Sequence, residues 1–229
     1  MDLAKLKLVD LTHSLNANIP HWDLGCGFNC QTTSDYADCQ TSTKFKIQHL
    51  QMLSGIGTHL DAPSHCISGG LSIADIPLTN LIRPGVVINI AHKAHENYQV
   101  STYDIEEFEA SYEPIVPGTL VIIHTGWNQH WPTAKYRNNL QFPSLSAAAA
   151  QLLVKREICG LGIDTLSPDT GTSGFPVHQI LLEKNCYIIE NIANSDQLPA
   201  TGAYILALPL KIEHGTEAPI RLVGILKNN

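Results

Sequence analysis

Two histidines and an aspartate fall within seven residues, at His59, Asp61 and His65, in the stretch Gly55-Ile56-Gly57-Thr58-His59-Leu60-Asp61-Ala62-Pro63-Ser64-His65. His59 and Asp61 are two apart, so an extended backbone points both side chains to one face. Pro63 fixes its own φ and pushes Ala62 away from helix, which favours that extended backbone. An imidazole and a carboxylate on one face suit a divalent metal such as Zn²⁺ or Mn²⁺. His65, four residues beyond Asp61, is in reach of the same spot as a proton carrier. A His-x-Asp pair alone is a weak signal; many are solvated turns.

The elements that must hold these residues read as strands and helices that alternate only in part. Residues 6–11 form a first strand, ended by Thr12-His13-Ser14. His13 either faces the site or is a hydrogen-bonded structural histidine. Residues 16–42 are polar and rich in Asn, Gly, Thr and Ser. They predict a long loop or flap containing Trp22 and an exposed His21. Residues 44–53 alternate loosely and predict a strand delivering the chain to the motif. Pro84-Gly85 reads as a turn before a buried strand at 86–90. A capped, acidic-fronted helix is expected over 101–110, and a core strand over 120–124. Residues 127–142 carry Trp127, Trp131, Tyr136 and Phe142 and look like a wall or lid. A helix over 144–157 is capped by Ser144 or Ser146, and a strand follows at 158–163. Asp164 and Asp169 stand at that strand's end and read as supporting or turn-capping groups. A short helix at 176–184 contains His178, and a strand at 187–191 carries Glu190. The last strands are 203–208 and 218–226, joined by 211–217. His92 and His95 are expected in solvent, and His124 borders the pocket or its surroundings.

The chain of 229 residues reads as one domain over residues 1–229, a mixed α/β protein with a mixed sheet. Net charge is −7, with no basic run, which excludes the usual footprint of nucleic-acid binding. No apolar run reaches membrane-spanning length, and the first residues lack a signal-peptide core. A cytoplasmic protein is expected, its six cysteines kept as thiols. Cys26, Cys30 and Cys39 cluster without a Cys-x2-Cys pair, so a structural zinc site is not predicted. Cys159 and Cys186 read as buried fillers, and Cys66 as a wall residue beside His65.

The string Gly57-Thr58-His59-x-Asp61-x-Pro63-x-His65 resembles the signature of the cyclase family of metal-dependent hydrolases, a family that includes kynurenine formamidase and isatin hydrolase. The chain departs from that signature at Gly55, where the family pattern has a metal-binding histidine. His178 and Glu190 have the spacing of the histidine and glutamate that complete the family's metal site. The likeness runs from about Asp10 to the C-terminus and includes Thr125-Gly126-Trp127. It implies a swivelling β/β/α fold, assembled as a homodimer or homotetramer. It also implies that His59 and Asp61 bind a first metal, that Asp61 and Glu190 bridge to a second, and that His178 binds the second. His65 becomes the acid/base, and Trp22 a substrate-stacking residue. Glu190 has its own argument: a carboxylate ending the buried run Ile188-Ile189 needs a partner, and a metal is the simplest one.

The activity so implied is hydrolysis of a small amide or lactam, such as an aryl formamide or a cyclic amide, by water activated on one or two Zn²⁺ or Mn²⁺ ions. The alternative is a non-catalytic or altered small-molecule binder of the same family, because Gly55 supplies no ligand. His13 or His21, swung in from the N-terminal segment, would be the substitutes for that missing group.

Overall fold

The computed structural model describes residues 5–25 and 27–227. Its strands are β1 (Leu6–Asp10), β2 (Phe28–Ser34), β3 (Ile47–Met52), β4 (His59–Asp61), β5 (Ile82–Asn89), β6 (Gln99–Val100), β7 (Leu120–His124), β8 (Ser144–Leu145), β9 (Gly160–Ile163), β10 (Tyr187–Glu190), β11 (Ala203–Pro209) and β12 (Glu217–Lys227). The helices are α1 (Thr102–Ser111), α2 (Ala134–Arg137), α3 (Ala147–Lys155) and α4 (Pro176–Leu182).

Eight strands form one mixed sheet in the order β1-β12-β11-β5-β7-β9-β10-β4. β4 pairs with β12 as well as with β10, so seven strands close into a barrel-like sheet with β1 outside the closure. β5, β7, β9 and β10 run parallel to one another. Parallel strands are covered on both faces, and β7 reads accordingly as an unbroken apolar run, buried throughout. Val121 and Ile123 pack outward with Leu153 of α3 and Leu181 of α4. Ile122 turns inward to meet Leu60, Ile189, Ile205 and Leu222. The period-2 alternation of one strand thus serves two apolar layers, one under the helices and one inside the sheet.

The helices begin where their caps stand. Asp104 accepts from the Ser101 backbone N–H at 2.7 Å while Ser101 accepts from the Asp104 N–H, a reciprocal cap that starts α1. Ser146, accepting from the Ala149 N–H at 3.1 Å, starts α3. Ser144 and Leu145, expected in that helix, instead pair with β6. Two further expectations are corrected. Residues 16–42 are not all loop: β2 lies within them and pairs with β3 as a two-stranded ribbon apart from the main sheet. Its residues are polar because nearly all are exposed, which is why their composition reads as loop. Pro84 and Gly85 lie inside β5 rather than in a turn. The chain needs glycine there, since a Cβ at Gly85 would meet Ile205 of the neighbouring strand at 2.5 Å.

Cys186 is buried and Cys159 half-buried; Cys30, Cys39, Cys66, Cys159 and Cys186 are all free thiols. Cys26 lies outside the described residues, as do residues 1–4. No helix among the described residues is long and apolar enough to cross a membrane.

Candidate metal centre

The centre sits at the seam where β4 joins β10 on one side and β12 on the other. In the antiparallel β4–β10 pair, His59 faces Glu190 and Asp61 faces Ile188. Alternation then places His59, Asp61 and Glu190 on the same face of adjacent strands. Their ligand atoms lie within 4.8 Å of one another, all three residues are buried, and together they can hold a metal ion. His178 arrives from the first turn of α4.

Each imidazole is oriented from behind. His59 Nδ1 lies 2.9 Å from the Gly57 carbonyl oxygen, and His178 Nδ1 lies 2.8 Å from Asp169 Oδ2. Both partners are acceptors, so each Nδ1 carries a proton and each Nε2 is left to face the centre. Those Nε2 atoms face the same two carboxylates. His59 Nε2 is 3.3 Å from Asp61 Oδ1 and 3.4 Å from Glu190 Oε2. His178 Nε2 is 3.7 Å from Asp61 Oδ2 and 3.4 Å from Glu190 Oε1. Each carboxylate therefore offers one oxygen to each imidazole. Asp169 also accepts from the backbone N–H groups of Val177 and His178, so one carboxylate both caps α4 and fixes the His178 ring. On the other side, Thr58 donates to the Asn191 carbonyl at 2.6 Å and the Asn191 amide donates to the Gly57 carbonyl at 2.9 Å. These bonds tie the loop before β4 to the end of β10.

The charges show what the cluster lacks. Burial opposes charging His59, but Asp61 and Glu190 outweigh it and raise the imidazole to about 10. Burial likewise works against His178, which its Asp169, Asp61 and Glu190 partners hold well above the ordinary range. Burial would raise the Asp61 carboxyl, yet the neighbouring imidazoles hold it low. Glu190 is pushed up by burial and by the Asp61 charge. Two carboxylates in one dry space thus hold protons on the imidazoles as counter-charge, and Asp61 Oδ1 is buried without a hydrogen bond. A divalent cation, taking the place of those protons, satisfies every one of these atoms. The donor set fits such an ion.

A cleft of about 490 Å³ opens above the centre. Trp22, Leu53, Leu166 and Phe175 give it apolar walls, and Cys66 lies on it as expected. Trp22 packs edge-on to Phe142 and tilted to Phe175, and Arg137 holds its carbonyl at 2.8 Å. His65 is exposed at the rim, its ring centroid 5.9 Å from that of His178.

Other histidines depart from expectation. His21 is buried against the cleft, not exposed. His13 stacks on Trp131 at 4.1 Å with Nε2 buried and lacking a hydrogen bond, so it is not a fully hydrogen-bonded structural histidine. His124 lies off the cleft, 2.8 Å from Ser195 and 3.3 Å from Asp164. Asp164 accepts from the N–H groups of Thr125 and Gly126, a turn-capping role. Glu217, expected in the connection 211–217, instead opens β12 and lies directly across from Asp61.

Fold and site together define a mixed-sheet α/β protein with a buried two-histidine, two-carboxylate centre beneath an apolar cleft. The chain belongs to the Cyclase family, whose sequence profile matches residues 9–170. It is 32% identical over 187 residues to an isatin hydrolase of Roseibium aggregatum, covering 74% of this chain and 71% of that one. A kynurenine formamidase of Polaromonas naphthalenivorans is 28% identical over 177 residues, covering 73% and 69%. Among solved structures, isatin hydrolase A from Labrenzia aggregata bound to benzyl benzoate superposes with a TM-score of 0.89 at 29% identity, over 98% of this chain and 95% of the other.

Proposed function

We propose that this chain is a metal-dependent hydrolase of small amides or lactams. The observation that carries the reading is the convergence of His59, Asp61, His178 and Glu190 on one buried point under a cleft of small-molecule size. These four residues would hold one or two divalent ions, Zn²⁺ or Mn²⁺. Such an ion acidifies water and polarises a carbonyl. The protein's own parts supply the rest. His65, at the rim, carries the proton to the leaving nitrogen. Trp22 and Phe175 receive a flat apolar substrate, and the dry walls strengthen each electrostatic contact. Relatives named for isatin and for kynurenine formamide chemistry point to an aromatic lactam or aryl formamide as substrate.

The test is a panel containing isatin and N-formylkynurenine, run with metal-loaded protein. Turnover of at least one, abolished by Asp61→Asn, is expected; tight metal content with no turnover across the panel would favour the second reading. That reading, a small-molecule binder without catalysis, draws on Gly55 alone.

A cytoplasmic setting is supported by the free thiols. Assembly as a homodimer or homotetramer is supported by exposed Phe45, Ile47, Leu50 and Leu53 on and beside the β2–β3 ribbon.

A further inference from the structure

Gly55 leaves a space, and a side chain fills it. A Cβ built on Gly55 would overlap Glu217 Oε1 and come within 3.4 Å of His59 Nε2. One point in space therefore touches both the Glu217 carboxylate and the ring atom that faces the centre. The register explains how Glu217 gets there. It pairs with Asp61 across the β12–β4 ladder, so the two carboxylates project on the same face of neighbouring strands. Its other oxygen is held: Ser54 donates to Oε2 at 3.0 Å, and His65 Nδ1 lies 3.5 Å from it. That leaves Oε1 as the oxygen beside Gly55, at the space that His59 Nε2 also borders.

We propose that Glu217 is a ligand of the metal centre, completing the coordination beside His59 in the room left by Gly55. The centre then comprises two imidazoles and three carboxylates. Such an oxygen-rich set suits a harder divalent ion such as Mn²⁺ better than a nitrogen-rich set does. The same carboxylate would link the ion to His65 through its second oxygen. Glu217 thus makes the glycine at position 55 an exchange of one ligand for another, and neither His13 nor His21 is needed to replace it.

This inference rests on the metal-centre reading, and cation affinity separates the two. Mn²⁺ and Zn²⁺ binding is measured by competition with a chelator for the wild type and for Asp61→Asn, Glu217→Gln, Gly55→His and the double variant Gly55→His with Glu217→Gly. Glu217→Gln keeps a carbonyl oxygen at the position but removes its charge, so affinity is expected to fall about 10–100-fold. Gly55→His alone should bind no more tightly than the wild type, because its imidazole can enter only by displacing the Glu217 carboxylate. The double variant should recover affinity, which a misfolded Gly55→His protein could not explain. Unchanged affinity in Glu217→Gln, or raised affinity in Gly55→His with Glu217 intact, overturns the assignment. A shifted pH profile of turnover with intact affinity would also overturn it, leaving Glu217 a positioning partner of His65. Tight binding retained in Asp61→Asn would instead overturn the centre itself.

Discussion

His65 and Trp22 stand on the same cleft and should fail in different ways when removed. His65 stands exposed at the rim, whereas His59 and His178 are buried and each face two carboxylates. His65→Ala should therefore cost about 10²–10⁴-fold in kcat and leave metal content unchanged; lost metal would reassign it as a ligand. Trp22→Ala should raise KM more than it lowers kcat, because a stacked ring gives mostly uniform binding; unaltered kinetics would leave it as packing against Phe142 and Phe175. His13 offers a stability test. Burial against Trp131 lowers it from 6.5 to about 4. Between those values the unfolded chain binds the extra proton, so stability falls as pH drops through that window. His13→Phe keeps the stack and should remove about 2–3 kcal/mol of that fall, read from denaturant midpoints at pH 7 and pH 4. An equal slope in both proteins would contradict the assignment. At this scale His59 and Asp61 were legible because strand parity alone puts them on one face. Glu217 was not, because its meaning depends on which residue lies across the ladder from it.

Asp169 shows how an element delivers a ligand. It accepts from two N–H groups at the start of α4 and from the ring of His178, the residue that α4 supplies to the centre. Asp169→Asn keeps the shape but offers the imidazole a weaker and invertible partner. Metal affinity should drop about 10–100-fold with the fold intact by circular dichroism; unchanged affinity would mean that α4 alone orients the ring. Helices and buried strands were legible from caps and apolar runs, as Ser101 and Ser146 show. Of the two-stranded ribbon, β3 was legible from the loose alternation over 44–53, but β2 was not: it is polar and exposed on both faces, so no hydrophobic alternation marks it. Pro84-Gly85 misled for the opposite reason, since turn-forming residues were serving a close strand crossing.

The whole molecule brings together residues more than a hundred positions apart by closing its sheet. β4 is three residues long, yet it joins β10 to β12 and completes the barrel-like ring. Sequence order alone could not show that closure, because pairing partners across a sheet follow no local pattern. The pairing of His178 and Glu190 with the first motif was legible only through family likeness. If the exposed apolar side chains around the β2–β3 ribbon meet a second copy, light scattering should give a particle mass that is a multiple of the chain's, and Leu50→Glu should lower it. A monomer at every concentration would contradict that.

The central claim is that His59, Asp61, His178 and Glu190 jointly bind a divalent ion. Anomalous diffraction at the manganese edge, from crystals of Mn²⁺-loaded protein, tests it most directly. A peak is expected between the two Nε2 atoms and the two carboxylates, within about 2.0–2.3 Å of its ligand atoms. No peak there, with the imidazoles instead hydrogen-bonded to Asp61 and Glu190, would contradict it.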